Sequence, residues 1–215
     1  MGLTDLFRRR KEDPDAEPGA SNAPGFPTKA LGRFIGILSS RQQPILLDLG
    51  PVVGSNVNYF GEQLGCKIFV EDLSKDIERH AKEGKLAEFP AFLAKRFPQE
   101  DNTFDGILCW DVVDFLDRAS VRVLATEMQR ILKPDGVLLA MFNATEQMSP
   151  EMRSHYVRHV VVDHHTLEHR PYRAAASRLK PLPNRDIQRL FEPLRIAEQF
   201  LLKTNVREVL FRKPA

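Results

Sequence analysis

The sequence predicts an α/β fold in which helices cover a doubly wound, mostly parallel sheet. Short apolar runs at 45–49, 67–70, 104–110 and 137–142 have the length and composition of strands, and 45–49 is typical of a strand buried on both faces. Segments with the apolar spacing of helices alternate with them, and 118–132 is the clearest. This alternation indicates a parallel sheet rather than a helix bundle or a sandwich.

Capping and stop signals set the limits of the predicted helices. The first helix begins at Thr28, whose hydroxyl can cap it, and ends before Pro44. A second helix follows over 54–64. Ser74 is expected to cap a third helix, over 75–83.

The remaining segments differ in how clearly they are patterned. Residues 84–100 contain Pro90 and predict no strand. Residues 143–182 show no clean periodicity and are interpreted as an insertion, with an extended piece near 156–162. A short helix is expected over 184–191. The apolar runs 194–202 and 206–212 are joined by three residues, which predicts an antiparallel pair.

Length and composition restrict the class of protein. The 215 residues suit one domain, predicted over 28–215, behind a proline-containing disordered tail over 1–27. No apolar run is long enough to span a membrane, and the N-terminus lacks a secretory signal pattern. The two cysteines, Cys66 and Cys109, are expected to be buried and reduced, which predicts a cytoplasmic protein.

Charge is unevenly distributed along the chain. Residues 151–215 carry 13 Lys and Arg against 7 Asp and Glu, whereas the whole chain has a net charge of +2. No aromatic residues interleave this basic third in the pattern of a nucleic-acid-binding surface. We therefore expect a solvated basic face, and no nucleic-acid partner.

The segment that points to chemistry is a strand-to-helix turn, Asp48-Leu49-Gly50-Pro51-Val52-Val53-Gly54-Ser55-Asn56. Ligands of open parallel sheets bind beyond the carboxyl ends of the strands, where glycines allow close backbone approach. The next strand ends about twenty residues later in Glu71-Asp72, and such an acid can hold ribose hydroxyls. Together these features favour a cofactor that contains a nucleoside.

Four blocks of sequence resemble a known family, the class I S-adenosylmethionine-dependent methyltransferases. They are the turn after the first strand, Val70-Glu71-Asp72-Leu73-Ser74, the stretch 101–113 that ends in Trp110-Asp111-Val112-Val113, and the helix-turn-strand segment 127–138 around Lys133-Pro134-Asp135-Gly136. The resemblance covers 45–142 and implies a Rossmann-like, seven-stranded methyltransferase fold with an antiparallel last strand. It also implies S-adenosylmethionine as the cofactor and a small-molecule methyl acceptor, with 143–182 lying over the acceptor side.

The resemblance also implies roles for individual residues. Asp48 would anchor the turn or receive the cofactor ammonium group, and Asp72, or alternatively Glu71, would bind the ribose hydroxyls. Trp110 is expected to pack on the adenine, to wall the acceptor pocket or to lie in the core. The full set of residues that the resemblance assigns to the cofactor is Asp48, Gly50, Pro51, Gly54, Asn56, Glu71, Asp72, Trp110 and Asp111.

The first turn departs from the family pattern, because Val52 replaces its middle glycine and Pro51 fills the first gap. An alternative function is therefore a weakly active or inactive methyltransferase-like module that binds or regulates a partner. A nicotinamide-dependent oxidoreductase is disfavoured, since the Gly-x-Gly-x-x-Gly pattern is missing.

No single residue is identified as catalytic. The general-base candidates are Asp111, Asp114, His164, His165 and Tyr172. Five histidines lie between His155 and His169, but no carboxylate or cysteine set completes a metal site. We therefore expect surface or acceptor-pocket histidines and no bound metal. The acceptor and the oligomeric state are not specified by the sequence.

Overall fold

The computed structural model describes residues 25–149 and 153–215, and it has nine strands in those ranges. Their bounds are β1 Phe26–Pro27, β2 Ile45–Asp48, β3 Lys67–Val70, β4 Phe104–Trp110, β5 Leu132–Asn143, β6 His155–Asp163, β7 Thr166–Arg173, β8 Arg195–Leu201 and β9 Val206–Arg212. The helices are α1 Ala30–Ser39, α2 Gly54–Asn58, α3 Leu73–Lys82, α4 Phe89–Leu93, α5 Arg118–Ile131 and α6 Asn184–Leu190.

Six of these strands form a central sheet in the order β3-β2-β4-β5-β9-β8. The pairs β2·β3, β2·β4 and β4·β5 are parallel, whereas β9 lies antiparallel between β5 and β8. Helices pack on the sheet through two apolar clusters. The predicted α/β fold with a mostly parallel sheet is confirmed, and so is the antiparallel final pair.

The central sheet has six strands in the described residues, not the seven that the resemblance implied. The missing strand corresponds to residues 84–100, which form a 3₁₀ turn and the short helix α4. Pro90 occupies the first turn of α4, where its missing N–H is tolerated. Phe89, Leu93 and Phe97 fill the core beside the sheet from this irregular segment.

Two sets of contacts fix helix α1 to the sheet, one along its packed face and one at its N-terminus. A Cβ atom on Gly106 of β4 would lie 2.9 Å from side-chain atoms of Phe34 and Leu38, so only glycine allows this approach. At the N-terminus, Oε2 of the buried Glu208 accepts hydrogen bonds from the backbone N–H groups of Lys29 (2.8 Å) and Ala30 (2.9 Å). The predicted cap residue Thr28 adds a longer bond to Leu31 N (3.4 Å).

Strands β6 and β7 form an antiparallel hairpin within the predicted insertion, and β1 adds a third strand to it. Pairing of Phe26 and Pro27 with this hairpin places them in the folded domain rather than in the tail. The rest of the predicted tail, 1–24, lies outside the described residues. The side chain of Asn56 fixes the hairpin to α2 by donating to His159 O (2.8 Å) and accepting from Val161 N (2.7 Å).

Other local predictions are corrected or confirmed by the structure. The predicted cap Ser74 is wrong, because Asp72 caps α3 by accepting a hydrogen bond from Lys75 N (3.2 Å) and Ser74 lies inside the helix. The helix predicted over 54–64 continues from α2 as a π-helical segment, Tyr59–Gln63. Cys66 and Cys109 are buried and unpaired, as expected. In the described part of the chain, no helix has the length and apolarity needed to cross a membrane.

Candidate functional site

The candidate site lies at one edge of the sheet, where the parallel strands β2, β3, β4 and β5 end. Asp48 is the last residue of β2 and Trp110 the last of β4. Trp110 has a φ of 49°, a left-handed conformation that is rare for a bulky residue and is seen most often at functional sites. The β6–β7 hairpin crosses above this edge.

Asp48 holds the first turn and Trp110 together. Its Oδ1 atom accepts hydrogen bonds from Gly50 N (2.9 Å) and from Trp110 Nε1 (2.7 Å). A Cβ atom on Gly50 would lie 2.7 Å from Trp110 Cδ1, so the close approach that Gly50 permits is made by the indole ring. The structure therefore places Asp48 as the anchor of the turn, one of its two predicted roles.

Asp48 should make stability depend on pH in a defined direction. Burial raises the pKa of Asp48 from 3.8 to about 6, against the opposing hydrogen bonds from Gly50 and Trp110. Its stabilising contribution is therefore complete below about pH 4 and is lost as pH rises through 6. An asparagine at this position would accept the same bonds without titrating. Between pH 4 and 7, we expect the wild type to lose about 3 kcal/mol relative to Asp48→Asn, measured by urea unfolding. A constant difference across this range would contradict the prediction.

A cavity of 670 Å³ opens beside the first turn, between α3 and the hairpin, and we call it the α3 cavity. It is lined by Pro51, Val52, Gly54, Asp72, Ser74, Lys75, Glu78, Lys82, Tyr156, Arg158, Tyr172 and Arg173. The Val52 side chain is 55% exposed and leaves this cavity open. The substitution that distinguishes this turn from the family pattern therefore does not fill the space beside it.

The two acids at the end of β3 have different surroundings. Asp72 lines the α3 cavity, and its carboxylate accepts hydrogen bonds from the Ser74 hydroxyl and Lys75 N. Ser74 Oγ also lies 3.1 Å from the Tyr172 hydroxyl, so the network reaches the hairpin. Glu71 instead pairs with Arg96 (2.7 Å) away from this cavity and accepts from Gln99 Nε2 (3.1 Å).

A second cavity, of 330 Å³, lies between the hairpin and the ends of β4 and β5, and we call it the β5 cavity. Its walls are partly apolar, with Phe26, Met141, Phe142, Met148, Val157 and Val206, and its polar lining includes Asp111, Asp114, Asn143, His159, His169 and Arg178. A narrow cavity of 10 Å³ lies between the two. It shares Pro51, Ser74, Tyr156 and Tyr172 with the first and Asp111 and Val157 with the second.

A buried ion cluster forms the floor of the β5 cavity. The guanidinium of Arg178 donates through Nη2 to Asp111 and through Nη1 to Asp114 (2.7 Å). Burial alone would raise the pKa of Asp111, but the charge of Arg178 and two hydrogen bonds hold that pKa well below its usual range. Burial and the charge of Asp111 together raise the pKa of Asp114, despite the opposing charge of Arg178. Asp111 is thus the ionised member of the pair.

His159 lies against this cluster. Its Nε2 atom donates a hydrogen bond to Oδ1 of Asp111 (3.1 Å), and its ring stacks on Trp110 with centroids 5.0 Å apart. His169 meets the His159 ring edge-on at 4.9 Å, and burial lowers the pKa of His169 to about 4. Asn56, which the resemblance assigns to the cofactor, holds the backbone of this segment in place through His159 O and Val161 N.

Comparison with known proteins finds a family whose sequence model matches this part of the chain. Residues 47–140 match the family model described as a methyltransferase domain. That range includes the first turn, the end of β3 and the Trp110-Asp111 segment. This match supports the class I S-adenosylmethionine-dependent methyltransferase family that the sequence blocks resemble. No curated protein matches the sequence.

Solved structures share the fold of this chain at low sequence identity. An S-adenosylmethionine-dependent methyltransferase from Clostridium acetobutylicum is 14% identical, with 86% of this chain and 91% of that chain covered and a TM-score of 0.55. A Pyrococcus horikoshii protein is 15% identical, with 86% and 89% covered and a TM-score of 0.53. A Burkholderia thailandensis 1,6-didemethyltoxoflavin-N1-methyltransferase is 14% identical, with 86% and 79% covered and a TM-score of 0.50.

Sequence reasoning misses several residues that the fold brings to this edge. The sequence places Arg178 in the basic face, yet its side chain is only 7% exposed. His159 belongs to the histidine cluster but is not among the predicted bases, and Tyr156 is not assigned to the site. Two of the base candidates, His164 and His165, do not line the β5 cavity, whereas Asp111 and Asp114 do. The buried positions of β6, a strand with no clean alternation, carry no signal that sequence alone could read.

Proposed function

We propose that the chain transfers a methyl group from S-adenosylmethionine to a small-molecule acceptor. The observation that carries this proposal is the pair of cavities at the ends of the strands, with a narrow cavity the size of one water molecule between them. A methyl group is of similar size. Two ligands in the larger cavities would therefore lie close enough at this point for a methyl group to pass between them.

The residues around the α3 cavity fit the cofactor. Asp72 supplies a carboxylate that can accept hydrogen bonds from ribose hydroxyls. Tyr156 borders both the α3 cavity and the narrow cavity, and its buried hydroxyl has no hydrogen-bond partner among the described residues. A buried hydroxyl without a partner is costly, and a polar atom of a bound ligand would remove that cost.

In this proposal the first turn and α3 bind the donor, with Pro51 and Gly54 along the α3 cavity and Asp72 at the ribose. When bound, S-adenosylmethionine supplies a methyl group on a positively charged sulfur, so the donor needs no activation by the protein. The chain's task is to position an acceptor in the β5 cavity and to exclude water. The hydrogen bond between Asp48 and Trp110 stabilises the wall that separates the first turn from the β5 cavity.

The acceptor is proposed to be a small molecule because of the size and lining of the β5 cavity. Its 330 Å³ lies at the lower end of the range for small-molecule sites, and its mixture of apolar walls with a few polar groups is typical of them. The Burkholderia neighbour was solved with the small molecule 1,6-didemethyltoxoflavin and with S-adenosylhomocysteine bound. The hairpin that closes this cavity comes from the predicted insertion, 143–182.

Titration calorimetry with S-adenosylhomocysteine tests the donor half of the proposal. We expect saturable binding to one site per chain, and tighter binding than that of adenosine alone, because Asp72 and the first turn both contact the α3 cavity. The acceptor half is tested by incubating the protein with methyl-labelled S-adenosylmethionine and mixtures of small molecules. Absence of measurable S-adenosylhomocysteine binding at millimolar concentration would refute the proposed function.

A further inference from the structure

The β5 cavity has a specific charge balance that limits what it can hold. Arg178 is the one arginine or lysine among the described residues that line it, and both terminal nitrogens of this arginine are engaged by Asp111 and Asp114. His169 is neutral near pH 7, since burial lowers its pKa to about 4. A carboxylate or phosphate on the acceptor would therefore meet two acids and no available cation. This arrangement disfavours an acceptor that carries a negative charge.

One buried atom in this cavity lacks a partner. Nδ1 of His159 is buried and has no hydrogen-bond partner among the described residues, and the His159 side chain is 6% exposed. Asp111 is ionised and can only accept, so Nε2 carries the proton of the bond between them. In the neutral form of the ring Nδ1 then carries the lone pair. A fixed, buried lone pair is suited to receive a proton from a ligand.

The ring of His159 is held from several directions. Trp110 stacks on one face at an interplanar angle of 10°, and His169 lies edge-on at 87°. Asn56 holds the main chain through His159 O and Val161 N. The ring therefore has little freedom to turn, and its unpartnered nitrogen is not a consequence of a loose side chain.

His159 also lies close to the place where the narrow cavity borders the β5 cavity. Val157 lies two residues earlier on β6, and both residues line the β5 cavity. Val157 and Asp111 are the two residues that this cavity shares with the narrow cavity. A proton acceptor at this place is near the atom that would receive the methyl group.

We propose that His159, oriented by Asp111, is the general base for an uncharged acceptor that is methylated on a hydroxyl or ring N–H group. This inference rests on the proposed function. The O–H or N–H bond of the acceptor breaks, its proton goes to Nδ1 of His159, and its electron pair remains on the acceptor atom to form the new bond to the methyl carbon. The electron pair of the breaking carbon–sulfur bond stays on sulfur. His159 then returns the proton to solvent, so atoms and charge balance.

The tautomer can be measured on the protein without any ligand. In protein with ¹⁵N-labelled histidine, we expect His159 at pH 7.5 to carry its proton on Nε2 and to show an unprotonated Nδ1. Asp111→Asn should alter this tautomer balance, because Asp111 acts as a positioning residue through that bond. The charged or titratable groups facing His159 are Asp111 on the β4 end, His169 on β7 and Arg178 after β7, with Asp48 behind Trp110. A proton on Nδ1 in the wild type would overturn the inference.

The catalytic role is tested with labelled S-adenosylmethionine and a panel of uncharged phenols, alcohols and imidazoles, with thiols and tertiary amines for comparison. For acceptors methylated on O–H or N–H, His159→Asn should lower the rate at pH 7 by about 10²-fold or more. That loss should shrink as pH approaches the pKa of the acceptor. His164→Asn removes an exposed histidine that does not line this cavity, so it is the control and should retain the wild-type rate.

The outcomes separate this inference from the proposed function. Wild type that binds no S-adenosylhomocysteine refutes the proposed function. Wild type that binds it but methylates only thiols or tertiary amines, or no member of the panel, overturns the base inference alone. So does a His159→Asn variant with unchanged rates. Unchanged S-adenosylhomocysteine affinity in that variant excludes misfolding as the cause of a lower rate.

Discussion

Asp72→Asn should weaken S-adenosylhomocysteine binding by about 10- to 100-fold. The proposed bonds from ribose hydroxyls to a carboxylate are charge-assisted, and such bonds contribute about 1.5–3 kcal/mol each. Asparagine can still cap α3, so the free energy of unfolding should change by less than about 1 kcal/mol. Calorimetry gives the affinity, and urea unfolding gives the stability.

Glu71→Gln is the matched control for this experiment. Glu71 precedes Asp72 directly, but its carboxylate is engaged by Arg96 and Gln99 and does not line the α3 cavity. We expect its affinity for S-adenosylhomocysteine to stay within about twofold of the wild type. Equal losses in the two variants would show that Asp72 has no specific role at the ribose.

Arg178→Met should produce the largest loss of stability of any variant considered. It leaves Asp111 and Asp114 buried side by side without their shared cation. Breaking a buried ion pair by removing one partner costs about 3–5 kcal/mol. Without Arg178 the pKa of Asp111 should rise above its unfolded value and the already raised pKa of Asp114 should rise further. The deficit should therefore be smallest near pH 4 and should grow as pH rises toward 7.

Arg118→Met is the control for a surface ion pair. Arg118 pairs with Asp186, but its side chain is 56% exposed, so its loss should cost less than about 1 kcal/mol. Adding Asp114→Asn to Arg178→Met should recover part of the stability, because it removes one of the two buried carboxyl groups left without a cation. Similar losses for Arg178→Met and Arg118→Met by urea unfolding would contradict the argument from burial.

Local signals in the sequence predict most of the sheet. The apolar runs at 67–70 and 104–110 coincide with β3 and β4 because each is short, apolar and bounded by polar or turn residues. Every residue of β4 is buried, whereas β3 lies at the edge of the sheet and is only partly buried. The sequence pattern puts the cap of α3 two residues late, since Ser74 and Asp72 are both good caps and sequence does not choose between them. The absent seventh strand is consistent with the lack of a strand pattern in 84–100.

The candidate site is predictable only where it is local in sequence. Asp48, Gly50 and Asp72 lie at or just after strand ends, so a local sequence motif identifies them. His159 and Arg178 come to the same edge through a hairpin and the segment behind it, at 48 and 67 residues from Asp111. Glu208 reaches α1 across 178 residues. Such long-range pairings depend on the packing of the finished fold, and a single sequence carries no local pattern for them.

The chain has one tryptophan, and the fold places it where both ligands would be sensed. The indole of Trp110 stacks on the ring that we assign as the proton acceptor, and its N–H is bonded to a carboxyl group whose ionisation changes near neutral pH. We therefore expect the fluorescence emission of Trp110 to change when either cavity is filled or when the imidazole of His159 becomes charged. No added label is needed to follow these changes. Stopped-flow fluorescence on the native protein can thus order donor binding, acceptor binding and proton transfer in time.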